Sequence, residues 1–157
     1  MDDPADITAW QRISDRTTTS GKLLEADIAR LADLGVRHVI NLAPDSSDGA
    51  LAGEAALLDT LGMRYSYIPV PFSAPEEAHF QSFIAAYETG DHPVHVHCMA
   101  NMRVSAFLYR YHRDIAGMAE AQARALMEQQ WAPDPGSDHP LMQTWGRFIA
   151  PHAPHAP

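Results

Sequence analysis

The residues of this chain best suited to chemistry lie in one stretch, VHVHCMANMRVSAF, residues 94–107. His97 precedes Cys98, the sole cysteine. Arg103 follows five residues after it and Ser105 seven after it. A β-branched run leads into the cysteine and a helix-forming run leads away. A loop that enters a helix presents unpaired backbone N–H groups and the positive end of the helix dipole, which together attract an anion. The same field favours thiolate over thiol, so a cysteine placed there can attack phosphorus or carry a sulfur atom. An arginine beside it offers a planar fork for two anion oxygens. A lone cysteine at a strand end is otherwise a small buried hydrophobe. The nearby histidine, helix start and arginine favour a functional thiol.

The surrounding elements must place that loop at the rim of a sheet. Residues 10–13 read as a short strand. Ser20 is an N-cap candidate for a helix in which Leu24, Ile28, Leu31 and Leu34 recur at helical spacing, ending at Gly35. VRHVINL (36–42) reads as a buried strand, ALAGEAALLDTLG as a helix and MRYSYIPV (63–70) as a strand. Pro75 suits the first position of a helix that carries Glu76 and Glu77 in its first turn and runs to Gly90. PVHVH (93–97) is the next strand. Helices follow over about 103–115 and 118–131, and a last one covers LMQTWGRFIA. The 132–140 loop lies between Trp131 and Trp145, which are placed to anchor it to the core. This alternation predicts an α/β three-layer sandwich with a central, mostly parallel sheet of four to five strands and flanking helices. In such folds sites lie beyond the carboxyl ends of the strands, which is where Cys98 falls.

The totals narrow the function. The chain has 157 residues and a formal net charge of −9, with Lys22 the only lysine. That length suits one domain, expected over 1–150, followed by a Pro/His tail at 151–157 expected to be disordered. No basic stripe exists, so no nucleic-acid partner is expected. No apolar run reaches the roughly 18 residues of a membrane span. The acidic start lacks a secretory h-region, and a single free thiol suits a reducing cytosol, so a cytoplasmic location is expected.

VHVHCMANMRVSAF resembles the signature loop of the Cys-dependent protein tyrosine and dual-specificity phosphatases. TTTSGKLLEADIARLADLGVRHVINLAPD and LGMRYSYIPVPFSAP are similar to a compact bacterial branch of that superfamily, over roughly residues 10–115. The resemblance implies a phosphoester hydrolase without cofactor or metal. Its partners would be a phosphorylated protein or small molecule, phosphoinositides included, with a phosphate-like anion held in the loop. It implies Cys98 as the nucleophile of a phosphocysteine intermediate, with His97 orienting the loop and helping to keep the thiol ionised. Met99, Ala100, Asn101 and Met102 would supply backbone N–H groups, Arg103 would clamp phosphoryl oxygens, and Ser105 would assist the leaving thiolate.

Three departures from that pattern stand out. The usual spacing is Cys-x5-Arg, whereas this loop is Cys-x4-Arg and Val104 holds the customary arginine position. Either the loop is one residue short, or its length is normal and the arginine is displaced. Asn101 stands where glycine is usual, which would restrict the backbone. The general-acid Asp expected after the preceding strand is also missing. Ser73 occupies that place, and Glu76 and Glu77 read as dipole-complementing residues. Asp45, Asp48, Asp134 and Asp138 lie in other loops that could approach the site.

Three rival readings use the same residues. Cys-x4-Arg also resembles the cradle of rhodanese-type sulfurtransferases, in which Cys98 would carry a persulfide and need no general acid. A catalytically impaired module that binds anions or phosphoproteins accounts for the displaced arginine and the missing Asp. A metal site built on His92, His95, His97 and Cys98 matches no standard zinc spacing, and core histidines are the simpler reading. Tyr65 and Tyr67 alternate on their strand and are expected near the site rim.

Overall fold

In the computed structural model, which describes residues 2–151, burial patterns explain the order of the strands. β3 (His38–Asn41) and β5 (Val94–His97) are buried along their whole length and occupy the interior of the sheet. β4 (Arg64–Tyr67) is half exposed and forms an edge. The remaining strands are β1 (Gln11–Arg12) and β2 (Thr17–Ser20), and the order is β1-β2-β5-β3-β4. All pairings are parallel except β1 with β2, where the short antiparallel β1 closes the other edge. This is the mostly parallel sheet expected from the alternation. The tail at 152–157 lies outside the described residues.

β2 corrects the sequence reading, which took Ser20 as a helix cap. The strand is TTTS, with no apolar residue to alternate, yet all four residues are buried. Its hydroxyls are satisfied from a distance: Thr17 meets the Tyr87 hydroxyl at 2.5 Å, Thr18 meets His95 at 2.8 Å, and Thr19 donates to the Gln11 carbonyl at 2.9 Å. β-branched side chains suit the pleat, and paired hydroxyls remove the cost of burying them. Helix α1 (Glu25–Asp33) has its N-cap at Leu24, four residues later than the sequence suggested, and the Asp27 carboxylate accepts the Leu24 N–H at 2.9 Å.

Successive strand residues face opposite layers. Val39 joins a cluster with Ile28, Leu31 and Leu58 under α1 and α2 (Glu54–Thr60). Ile40, Val94 and Val96 join the larger cluster on the other face. That cluster includes residues of α3 (Glu77–Tyr87), α4 (Met102–Arg110), α5 (Glu120–Glu128) and α6 (Pro140–Ile149), with Phe80, Phe83, Phe107 and Trp145 at its centre. A π-helical turn (Tyr111–Ile115) continues α4 to the end expected for that helix. Pro75 lies before the N-cap of α3, which is Glu76. Among the described residues no helix is long and apolar enough to cross a membrane.

The register sets the site. Ser20, His97 and Asn41 are aligned partners at the carboxyl ends of β2, β5 and β3, and Asn41 is in turn paired with Tyr67 of β4. The chain leaves β5 at Cys98 from the middle of that row.

Candidate active site

The loop from β5 to α4 is tied down at both ends. Cys98 N–H points to the Ser20 carbonyl at 3.4 Å, and the Met99 carbonyl accepts Lys22 N–H at 3.0 Å. This close approach requires Gly21, where an added Cβ would lie 2.5 Å from the Met99 carbonyl oxygen. Asn101, the N-cap of α4, adopts the left-handed conformation at φ 64° and ψ 6°. Asparagine tolerates that region, so it does here what glycine would do. Its side chain is buried and donates to the Ala9 carbonyl at 2.9 Å and to Thr19 Oγ1 at 3.0 Å.

The backbone N–H groups of residues 99–104 meet no acceptor among the described residues. They lie between Cys98 and the first turn of α4, at the positive end of that helix's dipole.

Cys98 is buried and lies on the wall of a cavity of about 440 Å³ at the carboxyl end of the sheet. The lining includes His97 and Met99, Lys22 from the β2–α1 loop, Asn41 and Asp45, Glu54 at the start of α2, and Tyr65 and Tyr67 from β4. The two tyrosine rings stack with centroids 6.2 Å apart and planes 14° apart, on the rim as their alternation suggested. Behind them lie two hydrogen-bonded groups. Asn41 donates to the Tyr65 hydroxyl at 3.1 Å. Glu54 Oε2 lies 2.9 Å from His97 Nε2, and His97 Nδ1 lies 3.3 Å from the Cys98 carbonyl oxygen. Burial is the main reason that the Tyr65 hydroxyl is harder to ionise than usual.

Arg103 lies elsewhere. It is buried, its Nη1 donates to the Val70 carbonyl at 2.9 Å, and its guanidinium carbon sits 5.4 Å from the centre of the Phe72 ring. It is not among the residues lining the cavity. No carboxylate pairs with it among the described residues, and its buried Nε meets no acceptor. A buried cation without a counter-ion is costly unless an anion visits it. Val104 is fully buried in the core and fills no polar role. Ser105 Oγ donates to the Met102 carbonyl at 3.1 Å and faces a small void shared with Asn101 and His112, apart from the Cys98 cavity.

The carboxylate candidates separate cleanly. Asp45 lines the Cys98 cavity, whereas Asp134 lines a different one with Pro133 and Pro135. Glu77 pairs with Arg110 at 2.6 Å. The 71–75 segment carries no acid, and Phe72 is packed between Trp131 and Trp145, each 5.7 Å away by ring centroid. His95, expected on the same face as His97, has both ring nitrogens engaged, by Thr18 at 2.8 Å and Ser20 at 2.8 Å. Glu54 and Asn41 went unread in the sequence. Glu54 resembles any first-turn acid, and its partner His97 is 43 residues away.

Residues 10–126 match the family described as beta-lactamase hydrolase-like protein, phosphatase-like domain. The chain belongs to this family. A beta-lactamase hydrolase-like protein of Agrobacterium fabrum is 30% identical over 95 residues, which are 59% of this chain and 22% of that protein. The chain therefore spans about a fifth of that relative. A DUF442 protein of Shewanella putrefaciens CN-32, described as a candidate phosphatase, is 33% identical with a TM-score of 0.75, and the match covers 92% of this chain and 90% of that one. Solved structures of lower identity share the fold. Among them is Pseudomonas aeruginosa TpbA in complex with phosphotyrosine, at 19% identity and TM-score 0.61, covering 95% and 93% of the two chains. Family membership puts the chain on the phosphatase side of the two readings that Cys-x4-Arg left open.

Proposed function

We propose that this protein is a Cys-dependent phosphatase that hydrolyses a phosphoester through a phosphocysteine. The observation that carries the reading is the row of unpaired N–H groups at 99–104 beside Cys98. Fixed donors aimed at a dianion and its transition state are the main catalytic resource for phosphoryl transfer. The buried, unpaired Arg103 supports the same reading. So does the relative that holds phosphotyrosine.

In this mechanism the phosphoryl oxygens accept from the loop N–H groups while Cys98 Sγ attacks phosphorus and the bond to the leaving oxygen breaks. Asp45, exposed on the cavity wall, gives that oxygen its proton. Water then attacks phosphorus, the P–S bond breaks, and Cys98 departs as thiolate with inorganic phosphate. Arg103 takes part by turning from the Val70 carbonyl toward the anion. The substrate class is a phosphotyrosine, a small phosphate ester or a phosphoinositide, and the stacked Tyr65 and Tyr67 suit a flat leaving group.

The test is hydrolysis of an aryl phosphate between about pH 5 and 8, comparing wild type with Cys98→Ser and Arg103→Ala. Turnover lost in both variants supports the mechanism with its arginine. Wild-type turnover no better than that of Cys98→Ser removes it. The hold of Val70 on Arg103 favours a second reading, an anion-binding module without turnover, which predicts tight orthophosphate binding in an inactive wild type.

A further inference from the structure

We infer that Glu54 is a positioning residue that holds His97 doubly protonated and thereby keeps the Cys98 sulfur ionised. Its purpose rests on the phosphatase reading, but its observables do not.

The argument follows donors and acceptors. Asn41 Oδ1 accepts the Ala43 N–H at 2.9 Å, which fixes the amide so that Nδ2 donates to the Tyr65 hydroxyl at 3.1 Å. Tyr65 keeps its proton because burial resists its ionisation, so its hydroxyl accepts from Asn41. Glu54 lies in the first turn of α2, where the positive end of the helix dipole suits an accepting carboxylate. Its Oε2 lies 2.9 Å from His97 Nε2, which donates to it. The other ring nitrogen lies 3.3 Å from the Cys98 carbonyl oxygen, which can only accept. A ring with two donating nitrogens is an imidazolium. Both members of the pair are buried, so each charge depends on the other. Removing the carboxylate leaves a buried cation that sheds its proton, and the adjacent sulfur loses its neighbouring positive charge.

The other charged or titratable groups facing this corner do not fill that role. Lys22 is exposed on the cavity wall, and Asp45 and Tyr67 line the same wall. The His95 ring is 6.2 Å from that of His97, and burial keeps it neutral. Arg103 is turned to Val70.

Cys98 is the only cysteine, so the ultraviolet absorbance of thiolate, with Cys98→Ser as blank, reads this one sulfur as pH is varied. Below neutrality Glu54→Gln is expected to show about tenfold less thiolate than wild type, the effect of removing one close cation. Glu54→Asp is expected to restore part of it. A folded Glu54→Gln with unchanged thiolate overturns the inference. So does one with more thiolate, which would make the carboxylate a repelling charge only. Should the variant fail to fold, wild type carries the test. In 15N-histidine-labelled protein both His97 ring nitrogens should bear protons at neutral pH, with the signal assigned by its loss in His97→Asn. A neutral His97 ring overturns the inference. Neither readout needs turnover, so a failed phosphatase assay and a failed positioning role give different results.

Discussion

The side chain of Asn101 donates to the backbone carbonyl of Ala9 at 2.9 Å, joining residues 92 positions apart. These are the two non-glycine residues with positive φ among the described residues, Ala9 at 52° and Asn101 at 64°. Each occupies a backbone region that is uncommon for residues with a Cβ, and one holds the other. The turn at Ala9 thus braces the turn at the start of α4.

Asn101→Gly keeps the left-handed backbone but loses the hydrogen bonds to Ala9 and Thr19. We expect it to cost about 1–3 kcal/mol. Asn101→Ala loses the same bonds and adds the left-handed penalty, about 1–2 kcal/mol more. Urea unfolding of the three proteins checks the order. An alanine variant as stable as the glycine variant would mean that the backbone relaxes out of the left-handed region.

Gly21 has ordinary φ, so its need is one of space. In Gly21→Ala the new Cβ meets the Met99 carbonyl oxygen at 2.5 Å, and a backbone atom cannot swing away as a side-chain tip can. The loop must shift. We expect a loss of about 1–3 kcal/mol together with weaker orthophosphate binding by calorimetry. Lost stability with unchanged phosphate affinity would separate this contact from the anion cradle.

The parts of this site legible in the sequence are those set by local pattern. The β-branched run before Cys98, the amphipathic helix after it and the β3 and β4 strands all follow from periodicity. β2 does not, because Tyr87, His95 and Gln11 satisfy its threonines from far along the chain. The direction of Arg103 depends on the Val70 carbonyl and the Phe72 ring, neither of which its loop sequence announces. Asp45 was one of several acids in loops, and only the fold puts it on the same cavity as Cys98.

Asp45→Asn tests the assignment of the proton donor. A general acid contributes about 10²–10⁴-fold, and most where the leaving group is a poor one. Turnover of an alkyl phosphate should fall strongly, and turnover of an activated aryl phosphate much less. A general acid must be protonated to act, so the alkaline limb of the wild-type pH profile should flatten in the variant. Equal losses on both substrates with an unchanged alkaline limb would assign Asp45 a structural role and send the search to another group.

Buried histidines set how stability responds to acid. His38 is held down to about 4, first by burial and then by the positive charges of Arg64 and Arg16. Burial also depresses His112, and it depresses His95 further, with the charge of His97 adding to the effect on His95. In the unfolded chain all three take up protons near about 6.5. The unfolded state therefore binds more protons than the folded state once the pH falls below that value, and stability must drop as pH falls. It should be complete above about 6.5 and decline toward 4. The carboxylates of Asp3, Asp6 and Glu120, held in their charged form by arginine or tyrosine partners, add a loss only once the unfolded chain's carboxyls take up protons, near about 4. Urea midpoints measured between about pH 7 and 4.5 isolate the histidines. His38→Gln can keep a hydrogen bond to Ser66, which His38 Nε2 meets at 2.7 Å, but it cannot titrate. Its midpoint should decline less steeply than that of wild type. Parallel declines would mean that His38 gains its proton in the folded state as readily as in the unfolded one, and that the burial around it admits water.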